Sequence, residues 1–372
     1  MKMHFIKLHH PKLIAVITLF LLISLTIPAL SFASTIKSDE EVLFFSTAAH
    51  VDKSTSEWVI PIHGWIFERE EDATWRKAAL SGLAKALGLE DDAVRNRYFQ
   101  ERARMFLVDN ERWKNPQIQI GDKRFKTERS AANGHFKGRI RLGQDEIAGQ
   151  IQDGLLSFFA VTEVEDEREF SGQVQLLPSE GVSVISDIDD TIKESMVLDK
   201  RELLANTFLR PYQSVEGMAG VYRDWEKSGT AFHYVSSSPW QLYPFLAQFM
   251  EQEGFPRGAF HLKQFRVKDH SLFKLFASSE ETKPPIIRSI FEAWPGRRFI
   301  LLGDSGEKDP EIYGQIAREF PDRVRHIFIR RVEGADNTTE RFDASFSGLS
   351  TSRWTLFSDP QQIRAFPLDS AK

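Results

Sequence analysis

Between Gly181 and Val332 the chain repeats one pattern: a short apolar run, an amphipathic stretch, then another apolar run. The runs are "VSVIS", "AFHYVSS", "GAFHLK", "RFILLGD" and "VRHIFIR". Between them stand "AGVYRDWEKSG", "WQLYPFLAQFMEQEG", "PIIRSIFEAWPG" and "PEIYGQIAREFP". Runs that are apolar throughout, not at every second residue, belong to strands buried on both faces. Such strands, separated by helices, form a parallel sheet covered on both sides, an α/β architecture. Ligands of these sheets bind beyond the carboxyl ends of the strands, near the point where strand order reverses. The residues just past each run are therefore the candidates for chemistry.

Those residues are not a random polar mixture. Asp187, Asp189, Asp190 and Thr191 follow the first run, and Ser236, Ser237 and Ser238 follow the second. Asp304, Glu307 and Asp309 follow the fourth, and Lys283 stands just ahead of the helix that leads to it. Crowded carboxylates repel and burial raises the cost of each, so either a cation neutralises them or the segment is an exposed acidic turn. The chain has no cysteine, which excludes thiolate sites and disulfides. Carboxylate oxygens from different strand ends suit a hard cation such as Mg2+. A serine hydroxyl and a lysine ammonium can hold the remaining oxygens of a phosphoryl group. One aspartate can then attack phosphorus, and another two residues on can protonate the leaving alcohol and activate the water.

Each piece has a plain reading when taken alone. Asp189-Asp190-Thr191 reads as an acidic turn or helix cap, the serine triplet as a loop before Pro239, and Lys283 as a solvated lysine. The order of the pieces favours catalysis: carboxylate pair, serine, lysine, carboxylate pair, each at a strand end or ahead of a helix.

Upstream, from about Asp39 to Pro178, the pattern is different. "EWVIPIHGWIF", "LLSFFAVTEV" and "REFSGQVQLL" read as strands. "NGHFKGRIRL" opens with an Asn133-Gly134 turn and then alternates, Phe136, Gly138, Ile140 and Leu142 against Lys137, Arg139 and Arg141. The spacing of Trp75, Ala79, Leu83 and Leu87 predicts a helix ending at Gly88, and "DDAVRNRYFQERARMFL" a second one. Residues 34–178 are thus expected to form a smaller, mainly β domain with two helices, 179–335 the catalytic domain, and 336–372 a C-terminal extension.

The segments "GVSVISDIDDTIKESMV", "FHYVSSSPWQLYPFL", "RFILLGDSGEKDPEIYGQIA" and "IFIRRV" resemble the haloacid-dehalogenase (HAD) superfamily of Mg2+-dependent phosphohydrolases with an aspartate nucleophile. Within it they are most similar to the actin-patch-type phosphatidate phosphatases and their bacterial relatives. The resemblance is specific over Gly181 to Val332 and vaguer upstream, at "RARMFLVDN" and "NGHFKGRI". It implies a HAD-like parallel sheet with helices on both faces. It also implies that Asp187 is nucleophile and metal ligand, and that Asp189 is the acid/base with its backbone carbonyl on the metal. Thr191 would orient that loop, Ser236, Ser237 and Lys283 would bind the phosphoryl group, Asp304 would complete the Mg2+ site, and Asp309 would support it. No insertion large enough for a cap domain is evident, which suits a large or membrane-bound substrate.

The expected function is therefore that of a phosphoric monoester hydrolase acting through an aspartyl-phosphate, on a lipid phosphate such as phosphatidate. The alternatives are a phosphatase of soluble phosphomonoesters and a non-catalytic module that binds phosphate or lipid. A net charge of -5 argues against a nucleic-acid partner. Peripheral membrane contact is expected through Lys137, Arg139 and Arg141, or these are the solvated face of an edge strand. Lys263, Arg266 and Lys268, flanking the expected site, are better placed to receive a phosphate, or are merely solvated. The first 33 residues, with Lys2, Lys7 and Lys12 before the apolar run Leu13–Ile27 and Ser31-Phe32-Ala33 after it, read as a secretory signal peptide, with an uncleaved anchor as the competing reading. The mature protein is then expected in the periplasm or the medium.

Overall fold

The computed structural model describes residues 36–69, 73–264 and 280–368. The signal segment, Arg266 and Lys268 lie outside the described residues. Two sheets organise the rest. The first holds β1 (Glu40–Phe44), β2 (Thr47–Val51), β3 (Trp58–Glu68), β4 (Asp109–Asn110), β5 (Gln117–Ile120), β6 (Lys123–Lys126), β7 (His135–Leu142), β8 (Ile151–Gln152), β9 (Leu155–Ala160) and β10 (Ser171–Leu176). The long β3 is its hub, antiparallel to β1, β2, β4 and β7, while β10 joins β2 in parallel. On β7 the expected alternation holds: Phe136, Gly138, Ile140 and Leu142 are buried, Lys137, Arg139 and Arg141 exposed. Arg141 is held by Asp52 at 2.8 Å and Glu57 at 3.6 Å, as a solvated strand face would hold it.

The second sheet is parallel throughout, with spatial order β13 (Ala259–Lys263), β12 (Ala231–Pro239), β11 (Glu180–Ser186), β14 (Gly296–Asp304), β15 (Val324–Arg330) and β16 (Trp354–Phe357). The period of two along each strand divides its side chains between two cores. Val184, Ile300 and Leu302 face one side, with Leu204, Phe208, Val221, Trp225 and Leu246 of the helices Lys200–Phe208, Met218–Lys227 and Tyr243–Glu253. Ile185, Phe299 and Leu301 face the other, with Ile287, Phe291, Ile312 and Ile316 of the helices Lys283–Ala293 and Asp309–Glu319. This is the expected parallel sheet covered on both faces. Strand order reverses between β11 and β14, so the ligand crevice opens at their carboxyl ends.

Four details differ from the sequence reading. The stretch beyond residue 335 supplies the sixth strand, β16. The helix Lys200–Phe208 had no counterpart in it. The expected helix from Asp91 breaks at Asn96 into a 3-10 turn and the helix Arg97–Arg104, because the Asn96 side chain accepts the Phe99 N–H at 3.1 Å and caps a new start. In the helix Ala73–Leu87, the buried stripe is Leu80, Leu83, Ala84 and Leu87, and Trp75 is 53% exposed. A strict four-residue spacing drifts by about 40° per step around a helix of 3.6 residues per turn, which carries Trp75 off the face.

Candidate active site

β14 ends in an aspartate and β11 is followed by one, and the pairing of the strands brings the two together. Asp187 continues the ladder, its N–H donating to the Leu302 carbonyl at 2.9 Å, and Asp304 is the last residue of β14. Asp187, Asp304 and Glu307 each present a carboxylate oxygen, all within 4.8 Å of one another. Lys283, the first residue of its helix and fully buried, reaches all but one of the acids here. Its Nζ lies 2.8 Å from Asp187 Oδ1, 3.1 Å from Glu307 Oε2 and 2.5 Å from Asp309 Oδ1. Asp309 also accepts the Asp304 N–H through Oδ2 at 3.3 Å. Thr191 donates its hydroxyl to Asp187 Oδ2 at 3.1 Å, so it orients the carboxylate itself as well as the loop.

Three buried acids and the partly buried Glu307 crowd around one ammonium that contacts three of them, and the electrostatics follow. Burial pushes the Asp187 carboxyl well above the ordinary range; Lys283 opposes this, while Asp309, Glu307 and Asp304 add to it. Burial does the same to Asp304, reinforced by Asp309 and Glu307. Burial alone would lower Lys283, but Asp187, Asp309 and Glu307 hold it well above its usual value.

This is the set of residues a cation would satisfy. Asp304 Oδ1 is taken by the N–H groups of Gly306 and Glu307 at 2.5 and 3.0 Å, whereas its buried Oδ2 has no hydrogen-bond partner. Two other groupings of acids, Asp39 with Glu40 and Glu68, and Glu68 with Asp109 and Glu111, differ in kind. Among the described residues each of these has an exposed member, Asp39 or Asp109, whereas Asp187 and Asp304 are buried. Oxygen-only ligands at the crevice fit a hard divalent cation. The sequence reading placed Asp187, Asp304 and the Asp189 carbonyl around the metal; the structure adds the Glu307 carboxylate.

The Asp189 side chain is directed elsewhere. Its Oδ1 accepts from Lys193 Nζ at 2.8 Å and Ser195 Oγ at 2.7 Å, and its Oδ2 from Ser236 Oγ at 3.0 Å and Ser238 Oγ at 2.9 Å. Burial raises this carboxyl, but Lys193, Ser195 and Ser238 outweigh it and hold Asp189 below the usual carboxylate range. Two aspartates two residues apart are thus driven in opposite directions. Ser236 stands beside Asp189 as the strand-end position requires, while the Ser237 hydroxyl is buried with no hydrogen-bond partner. Glu307, Lys193, Ser195 and Ser238 are the site residues that the motif reading did not assign. Glu307 carried a signal in "GDSGEKD", lying between Asp304 and Asp309. Lys193 carried none.

Residues 182–331 match the family model described as the phosphatidate phosphatase APP1 catalytic domain. The resemblance is shown over that segment. Over 170 residues, 44% of the chain, it is 34% identical to an uncharacterised protein of Schizosaccharomyces pombe. Over 154 residues, 40% of the chain, it is 36% identical to phosphatidate phosphatase APP1 of Saccharomyces cerevisiae. These alignments take in 27% and 26% of those proteins, so the chain spans about a quarter of the length of the curated relatives it matches. Among solved structures, D,D-heptose 1,7-bisphosphate phosphatase from B. bronchiseptica, complexed with magnesium and phosphate, aligns over 49% of this chain and 95% of its own. Its identity is 12% and its TM-score 0.29.

Proposed function

We propose that the chain is a Mg2+-dependent phosphatase that hydrolyses a phosphomonoester, a lipid phosphate such as phosphatidate, through an aspartyl-phosphate on Asp187. One observation carries the chemistry: Asp187, Asp304, Glu307 and Asp309 are gathered at the switch point around the single ammonium of Lys283. The match of residues 182–331 to a phosphatidate phosphatase catalytic domain supports the choice of a lipid substrate. A divalent cation held by Asp187, Asp304 and Glu307 would neutralise the acids and draw charge from the phosphoryl oxygens.

The remaining work falls to side chains. Thr191 and Lys283 orient the Asp187 carboxylate, one oxygen of which attacks phosphorus as the bond to the alcohol breaks. Lys283 and the Ser236 hydroxyl are placed to hold phosphoryl oxygens. Asp189, ionised in the resting site, takes the proton of a phosphomonoester bound as its monoanion and gives it to the leaving alkoxide, then takes one from the water that cleaves the aspartyl-phosphate. The sum is phosphomonoester plus water to alcohol plus phosphate.

Phosphate release tests this directly. Wild type with Mg2+ is expected to turn over phosphatidate in mixed micelles, and Asp187→Asn to lose at least ~1000-fold. Metal-independent turnover, or full activity in the variant, would sink the mechanism. Turnover of small aryl and sugar phosphates but not of the lipid would leave the chemistry standing and overturn the lipid substrate. The same proposal has residues 1–33 removed on export, and an intact N-terminus on the mature protein would count against it.

A further inference from the structure

We propose that Lys193 is the positioning residue for proton transfer at Asp189, and that Arg102, from the β-rich region, holds it in place through Tyr212. This rests on the phosphatase reading above and deepens it.

Lys193 is 2% exposed, and its Nζ stands 2.8 Å from Asp189 Oδ1. It also donates to Ser195 Oγ, which in turn donates to the same Asp189 oxygen. Its ammonium lies 5.1 Å from the centroid of the Tyr212 ring. Over that ring, at 3.8 Å, lies the guanidinium of Arg102, itself buried. Arg102 Nη1 donates to the carbonyls of Thr207 and Arg210, both at 2.8 Å, and the Tyr98 ring lies 5.2 Å away, so two fixed acceptors and two rings determine where the guanidinium sits. The backbone reinforces the arrangement. The Asp190 N–H donates to the Lys193 carbonyl at 2.7 Å, and the Glu194 N–H to the Gln213 carbonyl at 2.9 Å, next to Tyr212. A continuous set of contacts thus runs from the helix Arg97–Arg104 to Asp189.

The division of donors gives this a chemical consequence. Ser236 and Ser238, which hold Asp189 Oδ2, belong to the end of β12, where a phosphoryl group would claim a hydroxyl. Lys193 and Ser195, which hold Oδ1, belong to the loop of Asp189 itself and stay with it. When Ser236 turns to the phosphoryl group, Oδ2 loses a donor while Oδ1 remains clamped. Oδ2 is therefore the oxygen that takes up the proton of the bound phosphomonoester monoanion, passes it to the alkoxide and receives another from the attacking water.

The ratio kcat/KM covers the steps up to departure of the alcohol, so it isolates proton delivery to the leaving group. With a short alkyl phosphate, whose alkoxide must be protonated, Lys193→Met is expected to lose ~100-fold; with 4-nitrophenyl phosphate, whose phenolate leaves unaided, less than ~5-fold. Lys193→Arg restores part of the alkyl phosphate activity, and Arg102→Met shows the same selectivity in smaller measure. Equal losses on both substrates, or no loss on either, would overturn the proposal. If Lys193→Met does not fold, Ser195→Ala, which removes the other donor to Oδ1, is read by the same criteria. A wild-type protein inactive on both substrates and on phosphatidate removes the phosphatase reading and this proposal with it. An active wild type with an unselective Lys193→Met removes this proposal alone.

Discussion

Asp190 is the one aspartate after β11 with no part in the chemistry, and it is what holds the loop in shape. Its carboxylate accepts the N–H groups of Ser195, Met196 and Val197 at 2.7, 2.9 and 2.6 Å, and Arg330 Nη1 donates to its carbonyl at 2.7 Å. Its φ of 53° lies in the left-handed region, which aspartate and asparagine tolerate better than most residues. Asp190→Ala leaves three donors without a partner at about 1 kcal/mol or more each, so a loss of about 3 kcal/mol is expected in urea unfolding. Asp190→Asn keeps an acceptor and the backbone preference, and should lose less than half as much. Equal destabilisation by both would show that the carboxylate is not the brace. The sequence reading weighed Asp189-Asp190-Thr191 as a turn or cap against a catalytic role. Asp190 takes the bracing role and the proposed catalytic role falls to Asp189, and nothing in "DIDD" distinguishes them. Asp189 and Asp190 differ in which partners they meet, and those partners lie as far away as Ser238 and Arg330.

The abutment of β14 on the helix Asp309–Glu319 leaves no room between them. A Cβ on Gly303 would lie 2.2 Å from Asp309 Oδ2 and 2.7 Å from its Cβ and Cγ. Asp309 cannot retreat, because it opens the helix, holds Lys283 and accepts the Asp304 N–H. Gly303→Ala should therefore push Asp309 off Lys283, costing about 1–3 kcal/mol of stability and lowering phosphatase activity together. Unchanged thermal stability and activity would refute the close approach. The elements themselves were legible where apolar runs alternate with amphipathic stretches, as in the five strands β11 to β15. β16 escaped notice because its burial comes from packing beside β15, and three of its four residues are only partly buried. The break at Asn96 was obscured because one cap outweighs an otherwise continuous helical pattern.

The two sheets share a core, so the site is supported from both. Phe45, Trp65 and Phe67 of the β-rich region pack in the same cluster as Trp240, Tyr243 and Leu246. His63 and His135 meet at 3.0 Å between Phe45 and Trp240. Burial takes His135 down to about 3 and His63 well below its usual value. Below about pH 6.5 the unfolded chain binds protons that these buried rings refuse, so their contribution to stability is lost as pH falls. The crevice acids act in the opposite sense. Asp187 and Asp304 are raised by burial, so above about pH 4 the unfolded chain has released protons that the cation-free native state retains, and stability falls as pH rises. A cation replaces those protons and removes the penalty. The gain in melting temperature on adding Mg2+ should therefore be larger at pH 7.5 than at pH 5, corresponding to about 2.7 kcal/mol at a hundredfold excess over Kd. The gain should vanish in Asp304→Asn. A pH-independent gain, or one that survives Asp304→Asn, would place the cation elsewhere.

The order of residue types along the chain was enough to establish a parallel sheet with carboxylates, serine and lysine at its strand ends. Strand burial and strand-end placement are written in local periodicity, which requires no knowledge of distant contacts. The assignment of partners required the folded chain. Lys193 meets Asp189 within a single loop, but Tyr212 and Arg102, which hold it, come from segments up to 91 positions away from it in number. Glu307 joins Asp187 only because β14 lies beside β11. Charge, burial and hydrogen bonding at short range decide which carboxylate is raised and which is lowered. Those distances exist only once the two sheets have packed.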